Sequence, residues 1–291
     1  TLLDVLAGRR PEEEISGRVF VNGVDRATPE GHEIFNSRTG YMLQLADTFS
    51  PTLTVRENLC YAAQLRLGGT IGAAEQARRV AMVLRTLGLA RIADVKVGTA
   101  TGGGISGGQK RKVALAVEML ALPALLLLDE PTSGLDSTSS LDVINAIRGW
   151  CNTGRSAIVT IHQPRKEIFA AFDKLALLYS GDLSLFCSPN AALQCMLELA
   201  QLVHWTVTVA NPADAMHDFL THNSPLELQS EGKSKLGDVL VGLQKEAETR
   251  AGFRTQMRQE LLQAEADSSD LNVVVLPAMS TTKRLTQASG L

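Results

Sequence analysis

The chain has 291 residues, 45% of them hydrophobic and 20% charged, with a formal net charge of −3. That length can bury a full core as one large domain or two small ones, and so balanced a charge excludes nucleic acid as a partner drawn by bulk electrostatics. Its 24 glycines against 4% aromatics point to many tight loops between aliphatic elements, as in an α/β protein.

The amino terminus, Thr1-Leu2-Leu3-Asp4-Val5-Leu6-Ala7-Gly8, has no initiator Met and no basic lead-in, and reads as the interior of a helix ending at Gly8. We therefore expect a piece of a longer chain. Gly17 to Gly23 and Thr39 to Leu43 read as short strands, together a small β layer. From Val55 to Leu89 the apolar residues fall at helical spacing, with a glycine-rich break at Gly68 to Gly72.

Leu125 to Leu128 is apolar on both faces, as a buried parallel strand requires, and Ala157 to Ile161 is a second, β-branched one. The helical stretch Leu141 to Trp150 between them completes a βαβ unit. Leu175 to Tyr179 and Leu183 to Phe186, joined by Ser180-Gly181-Asp182, form a hairpin. From about Ser224 the chain turns polar, with helical stretches at Leu236 to Glu248 and Phe253 to Ala264 and one apolar island at Leu271 to Leu276; it reads as linker.

Two bulk features narrow the class. Cys60, Cys151, Cys187 and Cys195 show no paired spacing and suit buried thiols in a reducing compartment. The richest apolar window, Val113 to Leu128, is broken by Glu118 and Pro123, so no stretch reaches the roughly 18 residues needed to cross a bilayer.

The chemistry concentrates where the Leu125 to Leu128 strand runs into Asp129-Glu130-Pro131. Open α/β sheets bind ligands at the carboxyl ends of their strands. In phosphoryl chemistry one acid there can hold Mg²⁺ while the next positions the attacking water. Alone, the pair serves equally well as a strand end entering a turn. Upstream, Ser106 can cap a helix whose Val113, Ala116, Val117 and Leu120 share a face, and Gly107 and Gly108 let backbone N–H groups approach a phosphate at its positive end. A capped surface helix with a solvated Lys110-Arg111-Lys112 cluster is the plainer alternative.

The string Leu125-Leu126-Leu127-Leu128-Asp129-Glu130-Pro131-Thr132-Ser133-Gly134-Leu135-Asp136-Ser137 resembles the Walker B motif and D-loop of ABC ATPases, and Ile105-Ser106-Gly107-Gly108-Gln109 their signature. Pro51 to Leu59, Thr160-Ile161-His162-Gln163-Pro164 and Asn211-Pro212-Ala213-Asp214 are similar to the G subfamily in particular. The resemblance covers roughly Thr1 to Leu220. It implies a P-loop NTPase (RecA-like) fold with a parallel-sheet core, a small antiparallel β layer and an inserted helical subdomain at about 53–118, in a nucleotide-binding domain over 1–222 with a linker at 223–291.

It also implies roles. Glu130 is the catalytic base, Asp129 and Gln44 serve Mg²⁺, and His162 contacts the γ-phosphate of ATP. Ser106, Gly107, Gly108 and Gln109 hold the nucleotide of a second nucleotide-binding domain, as homo- or heterodimer, and Asp136 communicates across that pair. A transmembrane domain completes the transporter and puts this domain on the cytoplasmic face of a membrane. The family's Walker A loop, ending in Gly-Lys-Ser/Thr, belongs just ahead of Thr1, which stands at or just after its Mg²⁺-binding hydroxyl position. Residues 1–291 are accordingly expected to show little ATPase activity, or to act as a non-hydrolytic partner that supplies only a signature surface. Leu45-Ala46 stand where the family often has acids.

Overall fold

Leucines 125 to 128 are all buried, and they divide by parity between two cores. In the computed structural model, which describes residues 2–11, 15, 17–42, 49–99, 103–162, 164–179, 182–202, 211, 213 and 273–277, they form β6 (Leu125–Asp129), the central strand of a parallel sheet ordered β3-β6-β7. Its neighbours are β3 (Thr39–Met42) and β7 (Ser156–Thr160). Leu125 and Leu127 pack with Leu3, Leu6, Phe35, Val19 and Val21. Leu126 and Leu128 join the larger core with Met42, Val113, Met119, Val143 and Trp150. A strand apolar on both faces is thus what a sheet covered on both sides demands.

One cover is α1 (Leu2–Leu6). Its end is a glycine-dependent stop: the Arg9 N–H reaches the Asp4 carbonyl at 2.9 Å and the Gly8 N–H the Val5 carbonyl at 3.1 Å, with Gly8 at φ 68°, a conformation costly for any other residue. Arg26 adds a side-chain cap, donating to Leu6 O at 2.7 Å and also to Val5 O. Arg26 follows β2 (Val24–Asp25), which pairs with β1 (Gly17–Val21), so one side chain ties the small antiparallel sheet to α1.

The other cover is helical. A capping box between Thr54 and Glu57 starts α3 (Val55–Leu67), and the glycine-rich break leads into α4 (Ala73–Thr86). Both pack on α5 (Gly107–Met119), which follows the short antiparallel pair β4 (Gly98–Thr99) and β5 (Gly103–Gly104), through Leu59, Ala63, Val80, Val83 and Leu84. Arg66 on α3 clamps Glu118 on α5 with two hydrogen bonds of 2.9 and 2.8 Å. α6 (Ser137–Cys151) completes the βαβ unit between β6 and β7, and α7 (Lys166–Phe169) follows it. β8 (Leu175–Tyr179) and β9 (Asp182–Cys187) make the expected hairpin, ahead of α8 (Pro189–Leu202).

Three expectations need correction. Cys60 is exposed rather than buried. Thr39 to Met42 does not join the small β layer; it lies parallel to β6, Thr39 opposite Leu125 and Met42 opposite Leu128. And the apolar island within the 223–291 linker overlaps β10 (Val273–Pro277), which pairs antiparallel with β1 from Gly17 opposite Pro277 to Val21 opposite Val273. The helices expected at 236–248 and 253–264 lie outside the described residues. An unforeseen helix, α2 (Pro29–Arg38), precedes β3, its start capped by the Thr28 hydroxyl with proline in the first turn.

Candidate functional site

Three strands running the same way bring their carboxyl ends to one edge. β6 leaves Asp129 and Glu130 there, β7 ends on Thr160 directly opposite Asp129, and His162 follows it, exposed. β3 ends at Met42, two residues before Gln44 in sequence. Gln44 and Thr1 themselves lie outside the described residues.

The acid pair is held from both sides. The Thr160 hydroxyl donates to Asp129 Oδ1 at 2.6 Å and accepts the Glu130 N–H at 3.0 Å. The Glu130 carbonyl accepts from Arg111 Nη2 at 3.3 Å and from the Ser133 N–H at 3.1 Å. Glu130 has φ 45°, a left-handed conformation that costs a non-glycine residue about 1 kcal/mol or more and persists where surrounding contacts over-determine it. Both acids are half-buried. Thr160 and Arg111 carry little signal in the sequence, one being an ordinary strand residue and the other part of a basic run.

That basic run is anchored rather than solvated. Besides the Arg111 contact, Lys110 Nζ donates to Gly98 O at 3.2 Å, and Lys112 pairs with Asp142 on α6 at 3.2 Å. The helix it belongs to begins as expected: Ser106 Oγ accepts the Gln109 N–H at 3.2 Å, and Gln109 Oε1 accepts the Ser106 N–H at 2.9 Å. Ser106 and Gly107 are exposed, while Gly108 is buried. A Cβ on Gly108 would lie 2.9 Å from both Cβ and Oγ of Ser139, so this glycine is required by the close approach of α5 to α6.

Asp136 caps α6: its Oδ1 accepts the N–H groups of Thr138 and Ser139, each at 3.0 Å, and its Oδ2 accepts the Ser139 hydroxyl at 2.6 Å. The Ser139 hydroxyl, then its N–H, hold the Asp136 carboxyl below its ordinary range. Through Ser139, the caps of α5 and α6 are neighbours.

Two contacts extend the site. Tyr41 on β3 donates to Asp4 Oδ1 at 2.8 Å beneath the Arg9 guanidinium, 4.6 Å from its ring centre. Burial first, then that hydrogen bond, pushes the Tyr41 phenol up to about 12. Asn211 donates to Pro164 O at 3.2 Å, just past His162, so the first residue of the Asn-Pro-Ala-Asp string touches the segment after β7.

Among the described residues no three His, Cys, Asp or Glu side chains gather as a metal cage. A half-buried carboxylate at a strand end still fits Mg²⁺, which binds through one or two carboxylates and substrate phosphates rather than through an all-protein cage. No helix among those residues is long and apolar enough to cross a membrane.

Comparison with known proteins gives the family. Residues 1–133 match the family model described as "ABC transporter". The chain is 40% identical over 224 residues to the broad substrate specificity ATP-binding cassette transporter ABCG2 of Sus scrofa, covering 77% of this chain and 33% of that protein. It is 39% identical over 233 residues to ABC transporter G family member 1 of Dictyostelium discoideum, covering 79% of this chain and 28% of the relative. With ABC transporter G family member 33 of Arabidopsis thaliana it shares 37% over 232 residues, 78% of this chain and 16% of the relative. The chain thus spans a third or less of the length of these relatives.

Proposed function

The chain belongs to the ABC transporter family as a nucleotide-binding domain of the G type, and from that premise we propose that it hydrolyses ATP to drive an exporter of lipids, sterols or amphipathic compounds. Two such domains sandwich two ATP molecules, each between the Walker motifs of one and the signature of the other. Closure on ATP and reopening after hydrolysis move an attached transmembrane domain. The cytoplasmic face of a membrane is where that cycle operates.

The observation that supports this most strongly is the acid pair at the carboxyl edge of a fully covered parallel sheet, with β7 delivering Thr160 and His162 alongside. In this reading Glu130 accepts the proton of the attacking water, and His162 donates to the γ-phosphate. Asp129 and Gln44 would hold Mg²⁺, which when bound would supply charge neutralisation for phosphoryl transfer. Ser106, Gly107, Gly108 and Gln109 present α5's N-terminus to the partner's nucleotide, Asp136 relays between the two sites, and Thr1 lies by the phosphates. The test is Mg²⁺-dependent ATP turnover by the assembled transporter; turnover equal to that of a Glu130→Gln variant would sink the reading.

The polypeptide of residues 1–291 taken alone should turn over little ATP. Its sequence has no complete phosphate loop: Gly232-Lys233-Ser234 is preceded by Glu227 where that loop needs glycine. In that form it acts as a signature surface for an intact partner, a reading that robust turnover by the isolated polypeptide contradicts.

A further inference from the structure

Thr160 ends β7, Ser156-Ala157-Ile158-Val159-Thr160, where valine would satisfy the β-branched preference just as well. Its hydroxyl oxygen is what valine lacks, and that one atom touches both members of the acid pair. It donates to Asp129 Oδ1 at 2.6 Å and accepts the Glu130 N–H at 3.0 Å. The strand register sets the reach, because Thr160 stands directly opposite Asp129. The Glu130 N–H turns toward β7 while the residue holds φ 45°, a conformation that a plain strand end does not require.

We propose that Thr160 is a positioning residue for ATP hydrolysis, fixing the Asp129 carboxylate through one oxygen and the Glu130 backbone through the other half of the same hydroxyl's capacity. This rests on the function proposed above. The hydroxyl acts as donor and acceptor at once, so its two hydrogen bonds fix the Asp129 carboxylate relative to the Glu130 backbone. Arg111, bonded to the Glu130 carbonyl at 3.3 Å, holds the far side of the same residue from α5. Rotation of the Glu130 side chain then starts from a fixed Cα, which is what aims its carboxylate at a water near the γ-phosphate. Asp129 is at the same time held in one orientation for the Mg²⁺ side of the site.

The experiment compares Thr160→Val, which keeps the shape, with Thr160→Ser, which keeps the hydroxyl, in the assembled transporter. A hydrogen bond to a charged group is worth about tenfold in rate or more. Thr160→Val should lower kcat by about that factor, leaving the KM for ATP within about twofold, and Thr160→Ser should restore most of the rate. A second measurement needs no turnover: amide exchange of the Glu130 N–H should speed up in Thr160→Val and stay slow in Thr160→Ser. Unchanged kcat in the valine variant, a loss of rate that serine does not repair, or unaltered exchange at Glu130 would each overturn the role of Thr160. A wild-type transporter without Mg²⁺-dependent turnover overturns the functional reading itself, and with it this role, whereas the exchange data still report on the hydrogen bond.

Discussion

The start of α5 and the end of β6 carry the two halves of the proposed site, and they are built by opposite means. Ser106 and Gln109 satisfy each other across three residues, a local arrangement that forms whenever the helix does. Glu130 reaches its geometry through Thr160 and Arg111, 30 and 19 residues away, and only a folded sheet brings these together. A local motif specifies a shape, whereas a long-range one couples shape to the integrity of the whole domain. Substitutions in the two regions should therefore fail differently.

The sharpest contrast comes from the chemistry itself. Glu130→Gln in the assembled transporter should lower ATP turnover by about a hundredfold or more, the scale of a lost general base, while equilibrium binding of ATP is retained. If binding falls with turnover, Glu130 is holding the structure rather than accepting a proton.

Next in size is the junction between the regions. Gly108→Ala places a Cβ 2.9 Å from Ser139, and overpacking of this kind costs about 1–3 kcal/mol. Thermal unfolding should show that loss, and Ser139→Gly in the same chain should recover part of it by removing the opposing atoms. Absence of any recovery would place the strain elsewhere.

Ser106→Ala is smaller. Removing the cap should cost about 1 kcal/mol of stability, read as a lower melting temperature, and Gln109→Ala added to it should cost less than it does alone because the two bonds are reciprocal. Full additivity would break the picture of a single local unit.

The smallest effect is confined to alkaline solution. The native Tyr41 phenol is held up to about 12 against an ordinary value of 10.0. The folded state therefore keeps its proton where the unfolded chain has lost it. This contribution to stability is complete below pH 10 and disappears as pH rises through 12. Tyr41→Phe should flatten that part of the alkaline unfolding profile; an identical profile would show that the phenol is not the titrating group.

The same contrast explains what could be read in advance. The α1 stop at Gly8, the α5 cap, the both-faces-apolar β6 and the β8–β9 hairpin each leave a signature within a few consecutive residues. The acid pair and the signature string are visible in the sequence as contiguous motifs. The sequence does not reveal the sheet of β3, because Thr39-Gly40-Tyr41-Met42 is short and its parallel partner lies far downstream. Even Gly40 has its reason there: a Cβ on it would come within 3.0 Å of Leu126 Cδ2 and 3.2 Å of Pro123 Cγ. α2 buries little beyond Gly31 and Phe35, so it has no apolar stripe to reveal it; Thr28 and Pro29 were its only markers. The pairing of β10 with β1 joins distant segments and has no local sign at all.

The doubly covered strand has one more consequence, for the chain before it folds. Leu125 to Leu128 is an uncharged aliphatic run that both cores bury completely, and on a nascent polypeptide such a run is a nucleus for intermolecular stacking. Pro123 stands on one side of it and Asp129, Glu130 and Pro131 on the other, residues whose charge or missing N–H frustrates growth of a stack. The carboxylates proposed to serve ATP in the finished domain thus also flank an aliphatic run that favours stacking before the chain folds. A variant neutral at both acids should lose soluble yield as well as turnover.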